Sequence, residues 1–178
     1  MPIKNVPFFE YPRLWSDDRE DLLQIIDEVS SSGGFILQEA VSNFENELAH
    51  YTGVNYSVGV GNATDGMEIF LEAIGINPGD EIIISSHTML ATASAIKVAG
   101  GVPVPVDIKN DDNLICPEAI KEAINKNTVG IMPTQLNGRV CEMDKIQDIA
   151  DANSLPFNNE QWDQHSHLEK GHSINVKQ

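Results

Sequence analysis

Short β-branched apolar runs alternate along the chain with stretches whose apolar residues recur at helical spacing, the pattern of parallel strands joined by crossover helices. Strands are predicted near Ser57–Val60, Glu81–Ser85, Val102–Val106 and Val129–Pro133. Between them, Met67, Leu71 and Ile74 form one helical face, Ile120 and Ile124 a second, and Ile146, Ile149 and Ala150 a third. Upstream, Asp17 reads as the N-cap of a helix carrying Leu22, Leu23, Ile25, Ile26 and Val29, which ends at Ser30-Ser31-Ser32-Gly33-Gly34. A second helix runs from about Glu39 to Tyr51. The turn Asn77-Pro78-Gly79-Asp80 then leads into Ile82-Ile83-Ile84, an unbroken apolar run that suits a strand covered on both faces. The architecture is α/β.

This pattern stops after Leu155. From Pro156 to Gln178 the large apolar residues are Phe157, Trp162, Leu168, Ile174 and Val176, in no run or period that would bury them. By βα alternation the helix ending near Asn153 should deliver another buried strand, and Phe157-Asn158-Asn159-Glu160-Gln161 is a poor one. Three of the five histidines, His165, His167 and His172, fall here. Their spacing places no pair on one helical face, so they read as solvated residues rather than metal ligands.

Composition narrows the class. Of 178 residues, 41% are apolar and 21% charged, which fits a globular chain and excludes collagen, coiled coil and full disorder. Lys and Arg number 11 against 27 Asp and Glu, a net charge of −16 that repels nucleic-acid phosphates and anionic lipid. No run is long and apolar enough to span a bilayer, and residues 1–5 are not followed by the apolar core of a signal peptide. A cytoplasmic location is expected. Cys116 and Cys141 form neither a disulfide framework nor a paired metal knuckle and are expected to be reduced thiols.

Three strand ends carry candidate chemistry. Val58-Gly59-Val60-Gly61-Asn62-Ala63-Thr64-Asp65-Gly66 passes through small residues into a helix, exposing backbone N–H groups at a positive helix end, and Thr64 adds a hydroxyl. The same residues also suit a plain tight turn with Asn62 or Thr64 as N-cap. A Rossmann fingerprint needs glycine where Thr64 stands, and no Gly-Lys-Ser/Thr follows to make a P-loop. The second end, Ser85-Ser86-His87-Thr88-Met89-Leu90-Ala91-Thr92, empties a buried strand into hydroxyl-rich residues. His87 has no carboxylate or nucleophile in a telling relation and reads as a surface or capping histidine. The third is Pro133-Thr134-Gln135-Leu136-Asn137-Gly138-Arg139. In open α/β sheets such carboxyl ends line the ligand crevice.

Taken in order, these segments resemble the DegT/DnrJ/EryC1/StrS family of pyridoxal-phosphate-dependent sugar aminotransferases. The likeness covers about Pro7 to Pro156. It runs through Phe44-Glu45 and Tyr51-Thr52-Gly53-Val54, Gly61 to Gly66, Gly75-Ile76-Asn77-Pro78-Gly79-Asp80-Glu81-Ile82-Ile83 and His87 to Thr92. It continues through Gly101-Val102-Pro103-Val104 with Asp107, Asn137-Gly138-Arg139 and Met143-Asp144-Lys145-Ile146. The resemblance implies the three-layer α/β sandwich of the aspartate-aminotransferase-like large domain (PLP fold type I), in truncated form. It divides the chain into an N-terminal helical segment (1–34), a partial large domain (35–155) and an atypical tail (156–178).

The resemblance also implies site residues. Asn62, Ala63 and Thr64 would hold the phosphate of pyridoxal 5′-phosphate. Met89 falls where the family usually places an aromatic ring stacked on the pyridine, and its polarizable sulfur can pack on such a face. Gln135 and Asn137 would lie near the cofactor edge or the substrate. Family members pass an amino group, usually from glutamate, to a keto sugar attached to a nucleotide diphosphate, and they work as homodimers.

The catalytic centre is missing from this pattern. Transamination needs a Schiff-base lysine and an acid opposite the pyridine nitrogen. In the family the acid lies just after the position of Pro156 and the lysine well beyond it. Here Pro156 is followed by Phe157-Asn158-Asn159-Glu160, and neither Lys170 nor Lys177 stands in a comparable segment. Back-translation of Gln161 to His172, read from the third base of the Gln161 codon, permits Met-Gly-Ser-Thr-Phe-Thr-Leu-Gly-Lys-Arg-Ala. That phrase is similar to the glycine-rich segment the family carries after its acidic strand. A frameshift near Asn158–Gln161 accounts for the tail, and no catalytic residue is assigned. The competing expectations are a non-catalytic module that binds a phosphate-bearing ligand or pairs with a homologue, and an unrelated nucleotide-binding α/β domain.

Overall fold

The computed structural model describes Pro7 and residues 9–155, so the tail and its three histidines lie outside the described residues. The chain divides into two compact units, one ending at Leu48 and the other beginning at Ala49.

The first unit is built on helix α1, Tyr11–Ser32, and most of α2, Glu39–Thr52. Helix α1 begins earlier than Asp17. Pro12 stands in its first turn, where the fixed φ of proline suits the helix and its missing N–H costs no bond. Arg13 and Leu14 both donate their N–H groups to the Glu10 carbonyl, so the helix is already running when it reaches Asp17. Asp17 is an interior residue facing Arg13, with 3.7 Å between Oδ2 and Nε. The stop is as predicted: Gly33 takes a left-handed φ of 71° and donates its N–H to the Ser30 carbonyl.

The second unit holds helix α3, Ala63–Ala73, and strand β1, Glu81–Ser85, then α4, Leu90–Val98, and β2, Val102–Val106. Helix α5, Pro117–Ala123, strand β3, Thr128–Met132, a short 3-10 turn, Leu136–Gly138, and α6, Met143–Ala152, complete it. The strands form a parallel sheet in the order β2-β1-β3, with Ile83 opposite Val104 on one side and Ile131 on the other.

Consecutive isoleucines of β1 go to opposite layers. Ile82 and Ile84 pack with Met67 and Leu71 of α3 and Ala95 and Ile96 of α4. Ile83 packs with Ile120 of α5 and Ile146 and Ile149 of α6. Helices cover both faces, which explains why the strand shows no alternation of polar and apolar residues. The result is a three-layer α/β/α sandwich.

One predicted strand is not formed, and another carries prolines. Residues 57–60, predicted as a strand, join no ladder: the sheet of the described residues contains β1, β2 and β3, and Val58 is 76% exposed. Valine-rich sequence without a paired neighbour cannot satisfy its backbone as a strand. In β2, Val-Pro-Val-Pro-Val, the N–H of Val102 and the C=O of Val106 both face β1, bonding to Asp80 and Ser86. Pro103 and Pro105, of opposite parity, therefore face outward, where a missing N–H removes no ladder bond and blunts the edge.

Candidate phosphate and cofactor site

The topology brings three segments to the carboxyl end of the sheet. Helix α4 follows directly from β1, and residues 133–142 follow directly from β3. Helix α3 leads through residues 74–80 to the amino end of β1 and packs on the same face as α4, so its own N-terminus lies toward the carboxyl end.

At the start of α3, Asn62 is extended, with φ −163° and ψ 174°, and its side chain accepts the N–H of Asp65 at 3.0 Å. The Asn62 carbonyl accepts the N–H of Gly66, the first intrahelical bond. The N–H groups of Ala63 and Thr64 precede that bond, so helix geometry leaves them without an intrahelical acceptor at the positive end of the dipole. Asn62, rather than Thr64, is the cap. A Cβ on Gly61 would stand 2.6 Å from Oδ2 of Asp65, whose carboxylate lies over it, so a larger residue there would turn that side chain aside.

At the start of α4, Met89 occupies the N-cap position and is 60% exposed. His87 is exposed and donates its backbone N–H to Oγ of Ser85. After β3 the structure separates the two residues that the sequence groups together. Asn137 is exposed, in a left-handed conformation with φ 54°. Gln135 is buried, and its amide is engaged: Oε1 accepts the Cys141 N–H at 2.6 Å and Nε2 lies 3.1 Å from the Met143 sulfur. Gln135 thus ties the turn after β3 to the start of α6.

A feature that the sequence reading passed over joins the β1 and β3 ends. The hydroxyl of Thr88 lies 2.8 Å from that of Thr92 and 2.8 Å from that of Thr134. The signal was present as a threonine pair at i and i+4 beginning a helix, but the third member is 46 residues away.

Beyond β2, Lys109 lies 2.6 Å from Asp112 and 3.8 Å from Glu142. Its hydrogen bond with Asp112 raises the lysine above its ordinary value and holds the aspartate below its own. Arg139 donates to the Asp112 carbonyl at 2.7 Å, fastening the loop to the turn after β3. Burial pushes the Cys141 thiol up to about 11. Among the described residues no cluster of His, Cys, Asp or Glu is arranged to hold a metal, and no helix is long and apolar enough to cross a membrane.

Residues 16–161 match the DegT/DnrJ/EryC1/StrS aminotransferase family. The chain belongs to that family. It is 35% identical over 146 residues to a dTDP-3-amino-3,4,6-trideoxy-alpha-D-glucose transaminase of Micromonospora megalomicea subsp. nigra, covering 82% of this chain and 38% of the relative. It is 37% identical over 154 residues to a 3-oxo-glucose-6-phosphate:glutamate aminotransferase of Bacillus subtilis, covering 86% of this chain and 35% of the relative. Among solved structures, NtdA of Bacillus subtilis with bound cofactor PMP superimposes with a TM-score of 0.84 at 36% identity, over 89% of this chain and 37% of that one. The chain spans under two fifths of the length of these relatives.

Members of the DegT/DnrJ/EryC1/StrS family use pyridoxal 5′-phosphate. The residues present fit its phosphate through the N–H groups of Ala63 and Thr64 at the positive end of a capped helix. The predicted fold, the large-domain sandwich of PLP fold type I, is the one the family match and the structural neighbours support.

Proposed function

We propose that this chain is part of a pyridoxal-phosphate-dependent aminotransferase that moves an amino group from an amino acid, glutamate in the first instance, to a nucleotide-linked keto sugar for glycan precursor synthesis. The observation that carries the reading is the capped start of α3 with the free N–H groups of Ala63 and Thr64, in a chain whose family match runs through residues 16–161. The cofactor, when bound, supplies an electron sink for the bonds around the amino carbon. On this reading Ala63 and Thr64 donate to its phosphate, Asn62 holds the helix end open for it, Met89 packs against its ring, and Asn137 lies toward the substrate. The intact enzyme is a cytoplasmic homodimer.

We further propose that the chain is inactive by itself. The turns at the carboxyl ends of β1 and β3, residues 86–89 and 133–142, contain no lysine to carry the covalent link. The family match ends at Gln161, and a frameshift near Asn158–Gln161 would replace the enzyme's remaining sequence with the out-of-frame tail. The test is an absorbance scan of the purified 178-residue protein with pyridoxal phosphate, borohydride reduction and intact mass. No retained stoichiometric adduct is expected, and one adduct on a single lysine overturns the claim of inactivity. Sequencing the gene and expressing the restored frame with glutamate and nucleotide-linked keto sugars tests the activity of the whole enzyme.

A second reading of the substrate is favoured by one observation. The Bacillus subtilis relative is named for a keto sugar phosphate rather than a nucleotide sugar. Assaying 3-oxo-glucose 6-phosphate beside the nucleotide-linked ketoses separates the two.

A further inference from the structure

Helix α4 opens in a way that neither local stability nor burial explains. Its N-cap is Met89, which makes no side-chain capping bond, whereas Ser, Thr, Asp or Asn at such a position would satisfy a first-turn N–H. The side chain is also mostly exposed, so little apolar burial offsets the loss. The segment is held by its neighbours instead. Thr88 Oγ1 lies 2.8 Å from Thr92 Oγ1, one turn into the helix, and 2.8 Å from Thr134 Oγ1, just beyond β3. Thr92 is 0% exposed and Thr134 3%.

A hydroxyl has one proton and two acceptor sites, so Thr88 can stand in the middle of such a chain, donating once and accepting once. Threonine is also restricted at χ1, so bonds to its hydroxyl fix the backbone that carries it. Residue 89 is thereby clamped from both sides. Thr88 is pinned to β3's exit, and Thr92 also donates its backbone N–H to the Met89 carbonyl at 3.1 Å.

We propose that the Thr88, Thr92 and Thr134 hydroxyl chain is a positioning device, which holds the exposed Met89 side chain against the ring of a phosphate-bearing aromatic ligand seated on α3. This rests on the cofactor reading given above. Thr88 bonds to Thr92 and to Thr134, and it is a positioning residue acting through Met89. Removing its hydroxyl therefore leaves the phosphate end intact and loosens the ring end.

The test uses the full 178-residue chain with 13C-methyl methionine and 15N labels, and pyridoxine 5′-phosphate, which has no aldehyde to react with lysines. The Met89 methyl is assigned with Met89→Leu. In the unmodified protein, saturation is expected to move the amides of Ala63 and Thr64 and to shift the Met89 methyl through the ring current. In Thr88→Val the amide shifts persist, the Met89 methyl shift falls by at least half, and Thr88→Ser restores it.

A full Met89 shift in Thr88→Val overturns the proposal and leaves the threonines as a structural clip. Amide shifts without any Met89 shift in the unmodified protein also overturn it, while the phosphate reading stands. No shift at either end overturns the cofactor reading, and the proposal falls with it. Should Thr88→Val not fold by far-UV circular dichroism, Thr134→Ala, which removes one of the two bonds, is read by the same criteria.

Discussion

The side-chain oxygen of Asn62 accepts the backbone N–H of Asp65 at 3.0 Å, which satisfies one first-turn donor of α3 and leaves those of Ala63 and Thr64 directed off the helix end. One residue therefore performs two tasks. It caps the helix, and in the proposed site it also fixes the first turn that carries the phosphate donors.

Replacing Asn62 with Ala is expected to cost about 1 kcal/mol of stability, the usual loss for a polar N-cap. Phosphate binding should weaken in the same variant, because the first turn frays. Thermal melts and a titration with inorganic phosphate followed at the Thr64 amide measure both. A melt unchanged from the parent protein counts against the cap.

Asp65 should act in the opposite sense on anions. Its carboxylate folds back over Gly61 at the same helix end. A unit charge at ~6 Å in a dielectric near that of water is worth roughly 0.7 kcal/mol, about a threefold change in affinity. Asp65→Asn is expected to bind phosphate about threefold more tightly, with a loss of a few tenths of a kcal/mol from the helix dipole. Calorimetry at low salt, where screening is least, makes the comparison. Weaker binding in the variant would place the carboxylate among the groups that support the site.

The Lys109 and Asp112 pair gives a signed dependence on pH. Asp112 is held below its ordinary value when folded, so its contribution is present above the unfolded value near ~3.9 and is lost as pH falls through the folded one. Lys109 is raised, so its contribution is complete at neutral pH and is lost as pH rises through the alkaline folded value. The stability difference between the parent protein and Asp112→Asn should therefore be level from pH 6 to 8 and shrink toward zero in acid. Denaturant melts across that range check it. A difference that grows in acid reverses the assignment.

The two thiols should differ in reactivity. Cys141 is buried and raised to about 11, whereas Cys116 is partly exposed. At neutral pH an alkylating reagent is expected to modify Cys116 first, with Cys141 reacting on global opening only. Peptide mapping after timed iodoacetamide treatment reads the order. Equal rates would show that the layer of α5 and α6 opens readily.

Much of this protein was legible in the sequence because local rules and tertiary packing agree there. The isoleucine run of β1 is continuous because helices cover both faces, and Gly33 ends α1 because a left-handed residue is needed. The ordered motifs from Phe44 to Ile146 carried the family resemblance on residue identity, and the family match over residues 16–161 spans all of them. The strand predicted near Val102–Val106 is found at those residues, its prolines tolerated because their parity faces away from β1.

What the sequence could not determine was decided by neighbours distant along the chain. Residues 57–60 carry valines that suit a strand, but strand formation requires a partner, and the sheet of the described residues provides none. Gln135, expected near the cofactor edge or the substrate, is buried with its amide bonded at Cys141 and Met143, contacts that no local pattern announces. The link from Thr88 to Thr134 spans 46 residues and exists because β1 and β3 are adjacent in the sheet. Sequence alone determined periodicity and family, which are local or cumulative properties. Tertiary structure decided which polar groups face one another, because hydrogen bonds depend on distances that the fold sets.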